Sequence, residues 1–219
     1  MFNVASVVMA LTFMGLMGAT VFFPLFFQVV MGSSPASSGL LTVAMMLGLV
    51  GSSMLSGRRL ARTGKYKGVQ LGGLLAALVA FSTLAWGMEA SWGYGVIEPA
   101  IFLLGAGLGL VMPNMTIAVQ NALPLARRGV GTAMLTFFRS LGGLLGVTGS
   151  GAILARSLHT HGVQAVAAVG AGVHVLPSTV AVYRHAIAGI FGAGALLVLL
   201  ALGVALLLPE IPLEGHKAE

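Results

Sequence analysis

Six apolar stretches, each long enough to cross a lipid bilayer as a helix, dominate this sequence. They run over roughly 4–31, 37–57, 68–87, 96–121, 131–155 and 186–208, on the criterion of about 20 apolar residues per span. Connections between them carry turn-forming residues: "GSSPASSG" after the first, "GMEASWGYG" after the third, "LPLARRGVG" after the fourth. The chain is 58% hydrophobic and 7% charged, against about 25% charged in an ordinary soluble domain. A surface this apolar has to be solvated by lipid. The expected fold is an all-α membrane protein, six transmembrane helices in a single domain over 1–219.

The net charge of +6 does not point to nucleic acid. Basic residues that bind DNA cluster on a soluble face or along a helix, whereas here they fall between apolar runs, as membrane topology requires. Without cysteine there is neither a disulfide framework nor a thiolate metal site. The opening "MFNVASVVMALTF" lacks a basic leader and continues past a signal core, so it reads as a retained span.

Lys and Arg set the orientation. The second loop, "GRRLARTGKYKG", holds Arg58, Arg59, Arg62, Lys65 and Lys67; the fourth holds Arg127 and Arg128; the tail holds Lys217. If six helices alternate, these eight share one side, and only Arg156 and Arg184, in the long fifth loop, lie on the other. Both termini are therefore expected in the cytoplasm.

Polar residues divide the spans. The third and sixth are nearly free of strong polar groups, while the others carry Gln28, Ser52, Ser53, Asn114, Thr116, Gln120, Thr136 and Arg139. Intramembrane polar groups face protein or water-filled cavities, so spans 1, 2, 4 and 5 are expected to be central and spans 3 and 6 peripheral. Two inner helices followed by an outer one make a unit of three. Because three is odd, the second unit is inverted relative to the first, as in each half of a major facilitator transporter.

Several segments, in order, resemble that superfamily, and more narrowly the second half of its fourteen-span multidrug:proton antiporter branch. They are "FFPLFFQVVMGSSPASSGLL" (22–41), "SGRRLARTGKYK" (56–67), "GAGLGLVMPNMTIAVQNALP" (105–124), "RRGVGTAMLTFFRSLGGLLGVTGSGAIL" (127–154) and "LPEIPLEG" (208–215). The resemblance implies proton-driven drug efflux by alternating access, in the bacterial inner (plasma) membrane. It implies no cofactor beyond the proton gradient. It also implies a further N-terminal half of six or eight helices, which carries the residues associated with proton coupling. Gly57, Arg62, Gly64 and Lys65 match the superfamily's short cytoplasmic Gly-…-Asp-Arg-x-Gly-Arg motif, but Ala61 stands where the acid would be. That departure weakens any charge-relay role for this copy.

The motifs also read physically. Gly105, Gly107 and Gly109 mimic a nucleotide loop, but they lie inside an apolar helix with no preceding strand, so phosphate binding is set aside. Gly105 and Gly109 form a small-xxx-small pair for close helix approach. Pro113 removes the helical donor of the Gly109 carbonyl, so a kink is expected there, static or a bending point. Small residues recur at spacing four in span 2 (Ala44, Gly48, Ser52, Ser56) and span 5 (Gly142, Gly146, Ser150), as packing stripes or sliding faces.

Arg139 is the anomaly: a charge at bilayer depth costs about 2.5–3.5 kcal/mol on insertion scales. If span 4 descends beside span 5, Asn114 lies at similar depth and Gln120 and Asn121 lie nearer the cytoplasm, where the guanidinium leans. Arg139 then either bridges spans 4 and 5 through these amides, as part of a gate, or snorkels to the headgroups. Gln28 touches substrate, caps a helix end or bonds across a helix pair. Glu98 is the one acid placed near a cavity mouth, with a proton-binding role or simple ionisation at a water boundary. His159 and His161, with His174 and His185 further on, do not make a zinc site without further ligands. The apolar stretch over 163–175 is short for a span, hence interfacial, re-entrant or loop. Paired carboxylates, a cysteine nucleophile and a metal cluster are not in evidence, so an enzyme is not expected. The largely apolar cavity wall suits hydrophobic or amphipathic substrates.

Overall fold

The computed structural model describes residues 2–63, 66–121, 123–163 and 176–207. Those residues form helices and turns only. Helix α1 is Phe2–Leu25, and α2 to α6 are Pro35–Thr63, Lys67–Glu89, Tyr94–Asn121, Arg128–Thr160 and Pro177–Leu206. All six are long and apolar enough to cross a membrane. The chain is a multi-pass membrane protein.

Several helices outrun their apolar stretches. Arg58, Arg59 and Arg62 lie on the last turns of α2, and Arg156 and Arg184, expected in a loop, lie on α5 and α6. Charge marks where the membrane ends, whereas a helix stops only where its backbone is interrupted. For α5 that point is Gly162, with φ +64°, whose successor Val163 donates back to the Leu158 carbonyl at 3.0 Å. For α6 it is Pro177, whose missing N–H costs nothing in the first turn. Gly64, Lys65, His174, the stretch 164–175 and the tail from 208 lie outside the described residues.

Beyond α1, a π-helical segment, Phe26–Val30, follows Pro24 by two residues. A proline cannot donate and crowds the preceding turn. A widened turn of this kind re-aims side chains and is frequent at functional sites.

The strongest packing pairs α2 with α4, α1 with α5, α3 with α4, α3 with α6 and α1 with α6. Exchanging the first three helices for the last three maps this set onto itself, which is the signature of an inverted repeat. Followed in order, the pairings give an arc α2–α4–α3–α6–α1–α5. Glycines set the closest approaches. A Cβ on Gly105 or Gly109 would strike the α2 carbonyls of Met45 and Leu49, and one on Gly142 or Gly146 would strike the α1 carbonyls of Ala10 and Met14. At the rear, the Phe81 ring is gripped between Gly15 and Gly194, and Phe191 lies 4.7 Å from Phe23 and 6.0 Å from Phe81.

Helices α2 and α5 end the arc, and this corrects one expectation. Of the residues in each apolar stretch, 18% are buried in α2 and 28% in α5, against 50% in both α1 and α4. Thus α1 and α4 are central, α2 and α5 are edges, and α3 and α6 form a packed rear. Polar content shows which helices must face protein or water; it does not show that this chain supplies the cover.

Candidate substrate-facing wall

The two edge helices are uncovered along large apolar side chains. Leu40, Leu47, Met54 and Leu55 are exposed on α2, and Val130, Phe137, Leu144 and Leu145 on α5. The polar groups singled out in the sequence are distributed around these edges and do not converge on one network.

Arg139 is exposed on α5, with its guanidinium carbon 5.1 Å from the centre of the Phe13 ring on α1. Such a cation–π contact contributes about 0.5–1 kcal/mol at an exposed site. The expected bridge to α4 is not made: Arg139 does not meet Asn114 or Gln120. The reason lies in the repeat. Helices α4 and α5 touch little, and α5 packs on α1, so a side chain at mid-depth of α5 meets α1.

Asn114 is buried and ties α4 to α2. Its Nδ2 donates to the Leu110 carbonyl at 2.6 Å, and its Oδ1 accepts from Ser56 Oγ at 3.2 Å. Pro113 sits one residue earlier, within an α4 that runs unbroken from Tyr94 to Asn121. Gln120 is partly buried, and its Nε2 donates to Thr132 Oγ1 on α5 at 3.3 Å. Around that bond an open groove of about 610 Å³ is lined by Gln120, Arg128, Gly129, Thr132, Ala133 and Thr136. Asn121 closes α4 beside it. Gly57 and Arg62 lie on the final turns of α2, Arg62 exposed.

At the other end of the bundle, Gln28 lies in the π-helical segment and donates to Ser38 Oγ on α2 at 3.0 Å. This is a cross-helix bond, one of the roles its position suggests. Glu98 is half-buried in the first turns of α4. His161 Nδ1 lies 2.8 Å from the Ser157 carbonyl, and among the described residues no three metal-capable side chains converge.

Two residues were not legible in advance. Phe13 carried no polar signal; pairing α1 with α5 through the inverted repeat would have pointed to a ring opposite Arg139. Ser91, which has φ 57° where glycine is usual, follows the end of α3, and its Oγ accepts a hydrogen bond from Arg184 Nη1.

Residues 2–147 match the family model described as Major Facilitator Superfamily. The chain belongs to the Major Facilitator Superfamily. Over 213 residues it is 32% identical to an uncharacterized MFS-type transporter of Mycobacterium tuberculosis, covering 90% of this chain and 31% of that protein. It is 32% identical over 140 residues to the multidrug transporter protein MdtP of Bacillus subtilis, covering 64% of this chain and 26% of MdtP. The crystal structure of the E. coli fucose:proton symporter superposes with a TM-score of 0.73 at 17% identity, covering 99% of this chain and 50% of the symporter. That likeness shows the major facilitator fold. The chain spans about a third or less of these two curated relatives and half of the symporter.

Proposed function

We propose that this chain is the C-terminal half of a proton-coupled multidrug efflux antiporter working by alternating access in the bacterial plasma membrane, with both termini cytoplasmic. The observation that carries this reading is the uncovered apolar face of α2 and α5, at the two ends of an arc that has the superfamily's fold. A companion N-terminal half of six or eight helices would cover that face and close a cavity near the membrane midplane, where transporters of this architecture bind substrate. The resemblance to MdtP supports drugs as the cargo. The apolar lining favours hydrophobic or amphipathic molecules. Asn114 bonds to α2, Gln28 to Ser38 and Gln120 to Thr132, and Arg139, exposed on α5, is the candidate assigned to the cavity in this proposal. Proton coupling is assigned to the companion half, because this sequence has no aspartate and five glutamates, none of them near mid-span.

A second reading follows from the same uncovered face. The chain alone would be a partner-dependent membrane subunit without transport activity. One experiment addresses both. Ethidium efflux is measured in cells making this chain alone, a companion first half alone, or both, before and after a protonophore collapses the gradient. The proposal expects efflux only with both chains, and its loss on collapse. Efflux that survives collapse would contradict proton coupling, and efflux by this chain alone would contradict the half-transporter reading.

A further inference from the structure

The two rear helices carry one polar device twice. Tyr66 and Lys67 open α3, and Tyr183 and Arg184 stand in the early turns of α6, both tyrosines buried. Setting Lys67 against Arg184 brings the helices into register. Leu74, Ala77, Phe81 and Met88 then fall on Phe191, Gly194, Val198 and Ala205, all of them buried. Glu89 and Leu206, the last residues of α3 and α6, fall on each other. Inversion of the repeat makes the two helices antiparallel, so the start of each lies beside the end of the other. Lys67 Nζ donates to the Leu206 carbonyl at 3.1 Å, at the end of α6. Arg184 Nη1 donates to Ser91 Oγ, in the turn that follows α3.

Both helix ends call for such a donor. A helix C-terminus carries unpaired carbonyls and the negative end of the macrodipole, so a cation there is favourable. Neither α3 nor α6 has a basic residue in its own last turn. The α3 end also carries a carboxylate, Glu89, which His185 meets with Nδ1 at 3.2 Å. Ser91 has φ 57°, and the Trp92 N–H returns to the Gly87 carbonyl at 2.8 Å, the closing bond of a left-handed helix cap. Arg184 thus holds the residue at which the cap of α3 turns. We infer that Lys67 and Arg184 are reciprocal clasps, one at each end of the α3–α6 seam, that hold the two helices as one body. Apolar packing between membrane helices competes with equally apolar lipid, so a seam of this kind is secured by polar contacts at its ends. The clasps lie within this chain and away from the uncovered α2 and α5 edges, so they stand independently of the transport proposal.

The test is hydrogen exchange of the full chain in lipid nanodiscs, read by mass spectrometry at the last turns of α3 and α6. Lys67→Gln should speed exchange over 203–206 by about two- to fivefold, the range for a charge at a helix C-terminus, and leave 86–89 unchanged. Arg184→Gln should do the reverse. Lys67→Arg and Arg184→Lys keep a cation in reach and should keep most of the protection. The variant carrying both glutamines should speed exchange at each end by more than the single variants do, because either clasp alone keeps the seam shut. Acceleration confined to the mutated residue's own helix, or none at all, would overturn the reciprocal contacts. Conservative variants as damaging as the glutamines would overturn the role of the charge. A double variant that only repeats the two single effects would overturn the single body and leave two separate helix caps.

Discussion

In the α2–α4 seam, Gly105 and Gly109 rest against the carbonyls of Met45 and Leu49; in the α1–α5 seam, Gly142 and Gly146 rest against those of Ala10 and Met14. Both seams bring a glycine against a carbonyl, but the sides are exchanged: the glycines lie on the inner helix α4 in the first seam and on the edge helix α5 in the second. The polar equipment differs. The first seam is bolted by a buried hydrogen bond from Ser56 to Asn114. The second carries an exposed arginine lying over a phenylalanine. Glycine therefore explains how the helices of both seams approach, and the polar difference shows where a charge has been left available. A charge kept in a membrane helix without a carboxylate partner is expensive, which makes the α1–α5 seam the better place to look for function.

Breaking the shared construction should have the largest effect. Gly105→Val and Gly146→Val each force a side chain into a backbone carbonyl. Each should destabilise by about 1–3 kcal/mol or more, as overpacking does, seen as a lower unfolding midpoint in detergent. Gly51→Ala, with open space around it, should stay within about 0.5 kcal/mol of wild type. If one seam tolerated valine and the other did not, the equivalence of the seams would fail.

The difference between the seams is sharpened at Arg139. Phe13→Leu and Arg139→Gln should each cost about 0.5–1 kcal/mol, the value of an exposed cation–π contact. Their transport phenotypes should diverge in a complete transporter: Arg139→Gln should lower efflux several-fold, and Phe13→Leu should lower it less. Normal efflux in both Arg139→Gln and Arg139→Lys would reduce the arginine to an anchor.

The smallest effect is expected at the bolt. A double-mutant cycle of Ser56→Ala and Asn114→Ala should give a coupling of about 0.6 kcal/mol, the average for hydrogen bonds between membrane helices, with efflux retained. A large loss of efflux there would move the functional seam to α2–α4.

The spans, the triplet repeat and the glycine stripes were legible because each rests on local periodicity or length. Partners were less so. Arg139 was matched to α4 by sequence adjacency, yet interleaved repeats put α1 beside α5. Helix ends at Arg156 and Arg184 were hidden because charge reports the membrane boundary while Gly162 and Pro177 set the backbone. The exposure of α2 and α5 was invisible for a different reason: their composition is the same whether a companion, lipid or this chain covers them.

That last point decides the account. A photo-crosslinker carried on Leu47→Cys in α2 or Leu144→Cys in α5 would be compared with one on Val79→Cys in α3. All three positions are exposed, and the sequence contains no other cysteine. The chain would be illuminated in membranes that also contain a separately tagged companion half. The account predicts adducts with the companion from Leu47→Cys and Leu144→Cys and none from Val79→Cys. Adducts from Val79→Cys alone, equal adducts from all three, or none at all, would contradict it.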